Sequence, residues 1–157
     1  MIDAATTSPE DLQELYRELI LDHARSPRHF GKLESATHKA EGINPLCGDK
    51  LKVYFVVDND GRIADARFEG SGCAISVASA SLLTETVIGL STGEAMSRFS
   101  GVVDALTGTT QPDENELGKL AALLGVREFP SRVKCATLSW HALNAAINEK
   151  QEPATTE

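Results

Sequence analysis

The chain's three cysteines, Cys47, Cys73 and Cys135, each stand at a boundary between elements rather than within an apolar stripe. Cys47 lies in Asn44-Pro45-Leu46-Cys47-Gly48-Asp49, a turn that opens on Asn-Pro, closes on Gly-Asp and carries Asp49 two positions beyond the thiol. Cys73 follows Gly70-Ser71-Gly72 where a helical pattern begins, and Cys135 follows Pro130-Ser131-Arg132-Val133-Lys134 where another does. The unpaired N–H groups and partial positive charge of a helix N-terminus stabilise a thiolate, so Cys73 and Cys135 are predicted to have lowered pKa values. Loops converging at one end of a sheet would bring the thiols to Asp49, and three thiolates with one carboxylate suit tetrahedral Zn²⁺. The chain has no C-x-x-C pair, and a C-x-D arises by chance, so spacing alone leaves two readings open: a metal site, or three unrelated buried thiols.

The histidines offer less. His23 and His29, at and beyond the end of the first helical pattern, read as dipole partners or surface residues, and His38 reads as surface ahead of a strand. His141, six residues after Cys135 on the same presumed helix, points to another face, because same-face neighbours lie three or four residues apart.

The elements that must position these residues follow from periodicity. Ser8 and Pro9 read as N-cap and first helical position, and Leu12, Leu15, Leu19 and Ile20 form one apolar stripe that stops before Pro27. Residues 51–57 alternate as a strand, Asp58-Asn59-Asp60-Gly61 signals a hairpin, and Ile63 to Glu69 returns, with a shorter strand expected at 37–42. A helix rich in Ala and Ser spans 73–89, two more are expected at 93–100 and 113–124 with Gly125 as a stop, and a last one starts at Pro130. The polar tail from Lys150 is expected to be disordered. The order predicts an α+β fold: a small antiparallel sheet of about three strands covered by helices, in a single domain over residues 1–157 with its core at about 8–148.

Composition narrows the function classes. Fifteen Lys plus Arg against 23 Asp plus Glu leave a net charge of −8, which repels a phosphate backbone and argues against a nucleic-acid partner. The N-terminal Met-Ile-Asp-Ala-Ala-Thr-Thr has no basic or apolar signal region, and no apolar run is long enough for a membrane span. A cytoplasmic protein with reduced thiols is expected, which turns attention from disulfides to ligation and sulfur chemistry.

Three stretches, Asn44 to Asp49, Gly70 to Ser81 and Arg132 to Trp140, together with Leu15-Tyr16-Arg17-Glu18-Leu19-Ile20-Leu21-Asp22-His23, closely resemble the IscU/NifU N-terminal family of iron–sulfur assembly proteins. Within it the chain resembles the SufU branch. Lys134 stands where scaffold members carry a histidine, and a protonated lysine has no lone pair for a metal. Residues 91–130 match the longer connection of SufU proteins, and Phe129-Pro130-Ser131-Arg132-Val133-Lys134 replaces the scaffold's chaperone-recognition stretch.

The resemblance implies a zinc ion held by Cys47, Asp49, Cys73 and Cys135, and a sulfurtransferase that does not turn over alone. Cys47 would accept persulfide sulfur from the pyridoxal-phosphate cysteine desulfurase SufS and pass it to a downstream SUF cluster-assembly scaffold. A zinc-bound thiolate is a damped nucleophile, so Cys47 must be freed before it attacks. The resemblance places Cys47 on a labile loop, with Cys73 and Cys135 anchored at helix starts. Arg132 matches a basic residue that either steadies the thiolate or persulfide or is simply a surface residue, and Lys134 is a weaker candidate for the same electrostatic part. The alternative is an IscU-like scaffold that binds iron or a 2Fe–2S cluster on the same four residues.

Overall fold

A computed structural model describes residues 9–108 and 112–156, with the side chain of Pro9 left aside. The expectations of a Ser8 cap, of a flexible tail over residues 1–7 and of a Gly/Thr/Pro-rich loop at 107–112 therefore fall wholly or partly outside the described residues.

The first helix, α1, spans Pro9–Arg25. Its buried stripe runs through Leu12, Tyr16, Leu19, Ile20 and His23, at the three- and four-residue steps of one helical face. Leu15, expected on that stripe, is instead exposed, and Tyr16 takes its place.

Strands β1 (His38–Asn44), β2 (Asp49–Val57) and β3 (Ile63–Ser71) pair antiparallel, each to the next. The hairpin between β2 and β3 closes as its sequence predicts: Asp58 Oδ1 accepts N–H bonds from Asp60 and Arg62, and Gly61 takes φ +78°. At the other end of β3, Gly70 has φ +129°, and a Cβ there would come 2.2 Å from the Lys50 carbonyl oxygen, so only glycine lets β3 lie against β2 at this point.

Two expectations about the sheet and tail are corrected. The sheet has four strands in the order β3-β2-β1-β4, because β4 (Ala154–Thr155) pairs parallel with Gly42 and Ile43 of β1. The tail expected to be disordered is thus docked through Thr156, whose N–H donates to the Ile43 carbonyl. Its polar composition gave no sign of this, since backbone pairing does not depend on apolar side chains.

Helix α2 (Ala74–Val87) and helix α5 (Pro130–Ile147) cover one face of the sheet. The core joins Leu51, Val53 and Phe55 of β2 and Phe68 of β3 with Leu82, Leu138, Trp140 and Leu143. Small residues set the closeness of this contact. Ser79 Oγ donates to the Ala136 carbonyl while accepting from Trp140 Nε1, and Gly42 of β1 admits Leu138.

The stretch between them departs from expectation. Helix α3 runs Thr92–Thr107, closed by a Ser91/Glu94 capping box and a left-handed Gly108, so it passes through Gly101 instead of stopping at Ser100. The helix expected over 113–124 is a single turn, α4 (Glu114–Leu117), followed by a 3₁₀ segment, Gly118–Val126, that carries Gly125 inside it. Gly118, at φ +58°, breaks the α-helical path between the two. No helix among the described residues is long and apolar enough to cross a membrane.

Candidate metal centre

The β1–β2 hairpin places the first two candidate donors. Asn44 and Asp49 are the last paired residues of its register, and the Cys47 N–H closes the turn on the Asn44 carbonyl at 3.3 Å, with Gly48 at φ +72°. Cys47 therefore rides exposed on the turn beside Leu46, which is 74% exposed. Asp49, expected inside the turn, is the first residue of β2 and is buried.

Pairing of Lys50 with Ser71 brings the end of β3 alongside Asp49, and the chain turns through Gly72 into α2, whose N-cap is Cys73. The Cys73 N–H donates to Asp49 Oδ1 at 2.9 Å, and the Ser76 hydroxyl donates to Asp49 Oδ2 at 2.7 Å. A Cβ on Gly72 would lie 2.7 Å from Oδ1. The carboxylate is thus fitted into the first turn of α2 with both oxygens engaged.

Helix α5 brings Cys135 to the same place from across β1. Asn44 Nδ2 donates to its sulfur at 3.6 Å, and Ser76 Oγ also reaches its carbonyl oxygen at 3.3 Å. One ligand atom each from Cys47, Asp49 and Cys135 lies within 4.8 Å of the others. Cys73 stands at the edge of this group: it is exposed, its sulfur meets Ser76 Oγ at 3.6 Å, and it acts on the Cys135 thiol.

The expected priming of Cys135 by a helix N-terminus is corrected. Helix α5 begins at Pro130, so Cys135 sits in its second turn, buried and beyond the unpaired N–H groups. Burial pushes its thiol above the ordinary thiol range, reinforced by hydrogen bonding with Asp49, Cys73 and Cys47 and by the Cys73 charge. No Lys or Arg of the described residues is among the groups acting on it. Clustered sulfur and carboxylate donors, two of them buried, form a set that a bound cation would neutralise, and a mixed sulfur–oxygen set suits Zn²⁺.

Arg132 is exposed, its guanidinium 4.7 Å above the Phe129 ring. It also lines a groove of about 670 Å³ with Tyr16 and Ile20 of α1 and Ala74 and Ile75 of α2. Lys134 is half-buried. Among the histidines, His29 and His38 bond to Thr84 and Thr37, and His141 packs edge-on against Phe99, so none of the three is brought to the sulfurs. His23, expected to be a helix-dipole partner or a surface residue, lies in the last turn of α1 but is corrected as to exposure: it is fully buried with Nδ1 2.7 Å from Ser81 Oγ. Its place four residues after Leu19, on the apolar stripe, is the signal that foretells this.

Asn44 and Ser76 were not singled out by sequence. Ser76 stands three residues after the Cys73 N-cap, where a side chain reaches back over the helix end, and that position is the one local clue.

The profile of the NifU-like N terminal domain matches residues 15–152. Over 141 residues the chain is 40% identical to the zinc-dependent sulfurtransferase SufU of Bacillus subtilis, covering 90% of this chain and 95% of that protein. It is also 40% identical, over 139 residues, to the iron–sulfur cluster assembly scaffold protein IscU of Thermotoga maritima, covering 88% of this chain and 96% of the relative. The crystal structure of FiSufU from Fervidobacterium islandicum AW-1, assigned as a cluster assembly scaffold for the SUF system, matches with a TM-score of 0.79 at 37% identity. That match covers 86% of this chain and 98% of that one.

Proposed function

The chain belongs to the NifU-like N-terminal domain family, and from that premise we propose that it is a zinc-dependent sulfur-transfer protein of iron–sulfur cluster assembly. The observation that carries this reading is the asymmetry of the site: two exposed thiols, Cys47 on a turn and Cys73 anchored at the start of α2, beside two buried donors, Asp49 and Cys135. A purely structural metal site gains nothing from leaving sulfur at the surface, whereas an acceptor must be reached by a partner, and of the two exposed thiols Cys47 is the one on a turn.

Cys47, Asp49, Cys73 and Cys135 are the residues that would hold zinc, which when bound keeps the thiols deprotonated. Transfer needs Cys47 as a free thiolate. It attacks the outer sulfur of a persulfide on a cysteine desulfurase of SufS type; a new S–S bond forms to Cys47, the donor's S–S bond breaks, and the donor cysteine leaves as thiolate. No net oxidation occurs. Asp49 and Cys135, buried and hydrogen-bonded, keep the rest of the site in place meanwhile. Arg132, held over Phe129, is the candidate cation for steadying the incoming sulfur anion. The loaded chain would then deliver its sulfur to a downstream SUF scaffold in the cytoplasm.

The test mixes the protein with a desulfurase and cysteine and reads sulfide release. Stimulation is expected, and Cys47→Ala is expected to abolish it; a fully active Cys47→Ala protein would end the acceptor assignment. The resemblance to T. maritima IscU supports a second reading, a scaffold for a 2Fe–2S cluster on the same residues. Anaerobic isolation with metal analysis separates them, since a scaffold arrives with iron and colour and the zinc protein is colourless.

A further inference from the structure

Beyond the four candidate donors, two buried polar side chains are spent entirely on them. Asn44 is fully buried, its Nδ2 donates to the Cys135 sulfur at 3.6 Å, and its Oδ1 has no hydrogen-bond partner among the described residues. Burying an amide with an unpaired oxygen costs free energy, so a residue kept there must return something through its other end. Ser76 is likewise fully buried, and its hydroxyl has one proton amid three acceptors: Asp49 Oδ2 at 2.7 Å, the Cys135 carbonyl at 3.3 Å and the Cys73 sulfur at 3.6 Å. The shortest of these contacts is to the carboxylate, which assigns the proton to Asp49.

We propose that Asn44 and Ser76 are positioning residues of the metal centre, Asn44 fixing the Cys135 sulfur and Ser76 fixing the Asp49 carboxylate. The inference rests on the zinc reading above. An N–H directed at a thiolate and an O–H directed at a carboxylate hold each donor in one orientation and lower the cost of gathering negative charge in a buried space. Ser76 also ties α2 to both β2 and α5, so one hydroxyl keeps three elements in register at the site. Cys47 has no comparable brace among the described residues, and the support is therefore concentrated on the donors that have to stay.

Two thermodynamic cycles on the full chain test this, read as zinc affinity in competition with a chromophoric chelator and as the visible absorption of the Co²⁺-loaded protein. Ser76→Ala is expected to weaken zinc binding about 10–100-fold and to alter the Co²⁺ bands. In an Asp49→Ala background the effect of the same change is expected to shrink to a few-fold at most, because the hydroxyl then has only its longer contacts to the Cys135 carbonyl and the Cys73 sulfur left to make. Asn44→Ala is expected to behave in the same way through Cys135, its effect vanishing in a Cys135→Ala background. Equal weakening with and without the paired donor overturns the proposal, as does unchanged affinity in single variants that retain the parent far-UV circular dichroism. The two arms lie on different elements, so if one variant fails to fold the other decides. A parent protein that takes up no zinc overturns the metal-centre reading itself; a zinc-binding parent matched by its variants overturns only the positioning roles.

Discussion

Gly72→Ala probes the site through a single methyl group. Gly72 is outside the left-handed region, so alanine brings no backbone strain of its own, and the obstacle is the Asp49 side chain. The new Cβ would stand 2.7 Å from Oδ1, 3.1 Å from Cγ and 3.2 Å from the Asp49 Cβ. Restoring an ordinary contact of 3.4 Å to Oδ1 requires a retreat of about 0.7 Å from 2.7 Å. Along the line from the Cys73 N–H, that takes the 2.9 Å hydrogen bond to about 3.6 Å, which is no longer a bond. Losing one charge-assisted hydrogen bond at a buried carboxylate costs about 1.5–3 kcal/mol. For a chain of this size the apo protein's Tm should fall by about 3–12 °C. Calorimetry of metal-free protein gives the stability, and chelator competition gives the zinc affinity, which should fall with it. In an Asp49→Ala background the methyl has room and the loss should shrink to about 0.5 kcal/mol or less. A Gly72→Ala protein that melts with the parent, or one whose deficit is undiminished without Asp49, would refute the placement of the carboxylate against α2.

Three further outcomes are expected. His23 is held below the ordinary imidazole range, by burial first and then by Arg28, with Lys119 adding to this and Glu85 and Asp22 opposing it. The unfolded chain therefore binds the proton first, so His23's contribution is intact above about pH 6.5 and is lost as pH falls below it. Urea unfolding at pH 7.5 and 5.5 should show a smaller acid loss in His23→Gln than in the parent, His141 contributing with the same sign in both; equal losses would show that His23 is not buried neutral. Trp140→Phe removes the indole N–H from Ser79 Oγ and leaves a void in a fully buried site, so it should cost about 1–3 kcal/mol in urea unfolding, and a neutral result would contradict the packing of α2 on α5. Ending the chain at Lys150 removes β4 and the Thr156 N–H bond to Ile43, an expected loss of about 1 kcal/mol, whereas an unchanged Tm would mean that the tail contributes nothing to the sheet.

Some of this was legible because the governing signal is local. Pro9 and Pro130 mark helix starts, Asp58 to Gly61 marks the hairpin, and the alternation of Leu51, Val53 and Phe55 marks the buried face of β2. The same local rules, followed further, would have corrected two of the misreadings. With Pro130 as the first helical residue, Cys135 comes more than a full turn later, where its backbone N–H is already committed and the side chain points inward. His23 likewise continues the stripe set by Leu19 and Ile20.

What stayed hidden depends on pairs distant in the chain. Asn44 and Cys135 are 91 residues apart, and Ser76 and Asp49 are 27 apart, so neither contact has a periodicity or motif to announce it. The Cys135 thiol shows what this means chemically. Its position beside a presumed helix end argued for easy ionisation; its observed surroundings, buried with a carboxylate and two sulfurs alongside, argue the reverse. Sequence can therefore name candidate donors, but whether a thiol ionises unaided or only when a cation arrives is decided by the distant groups packed around it. That distinction makes zinc affinity, rather than thiol reactivity alone, the sensitive readout for every substitution at this centre.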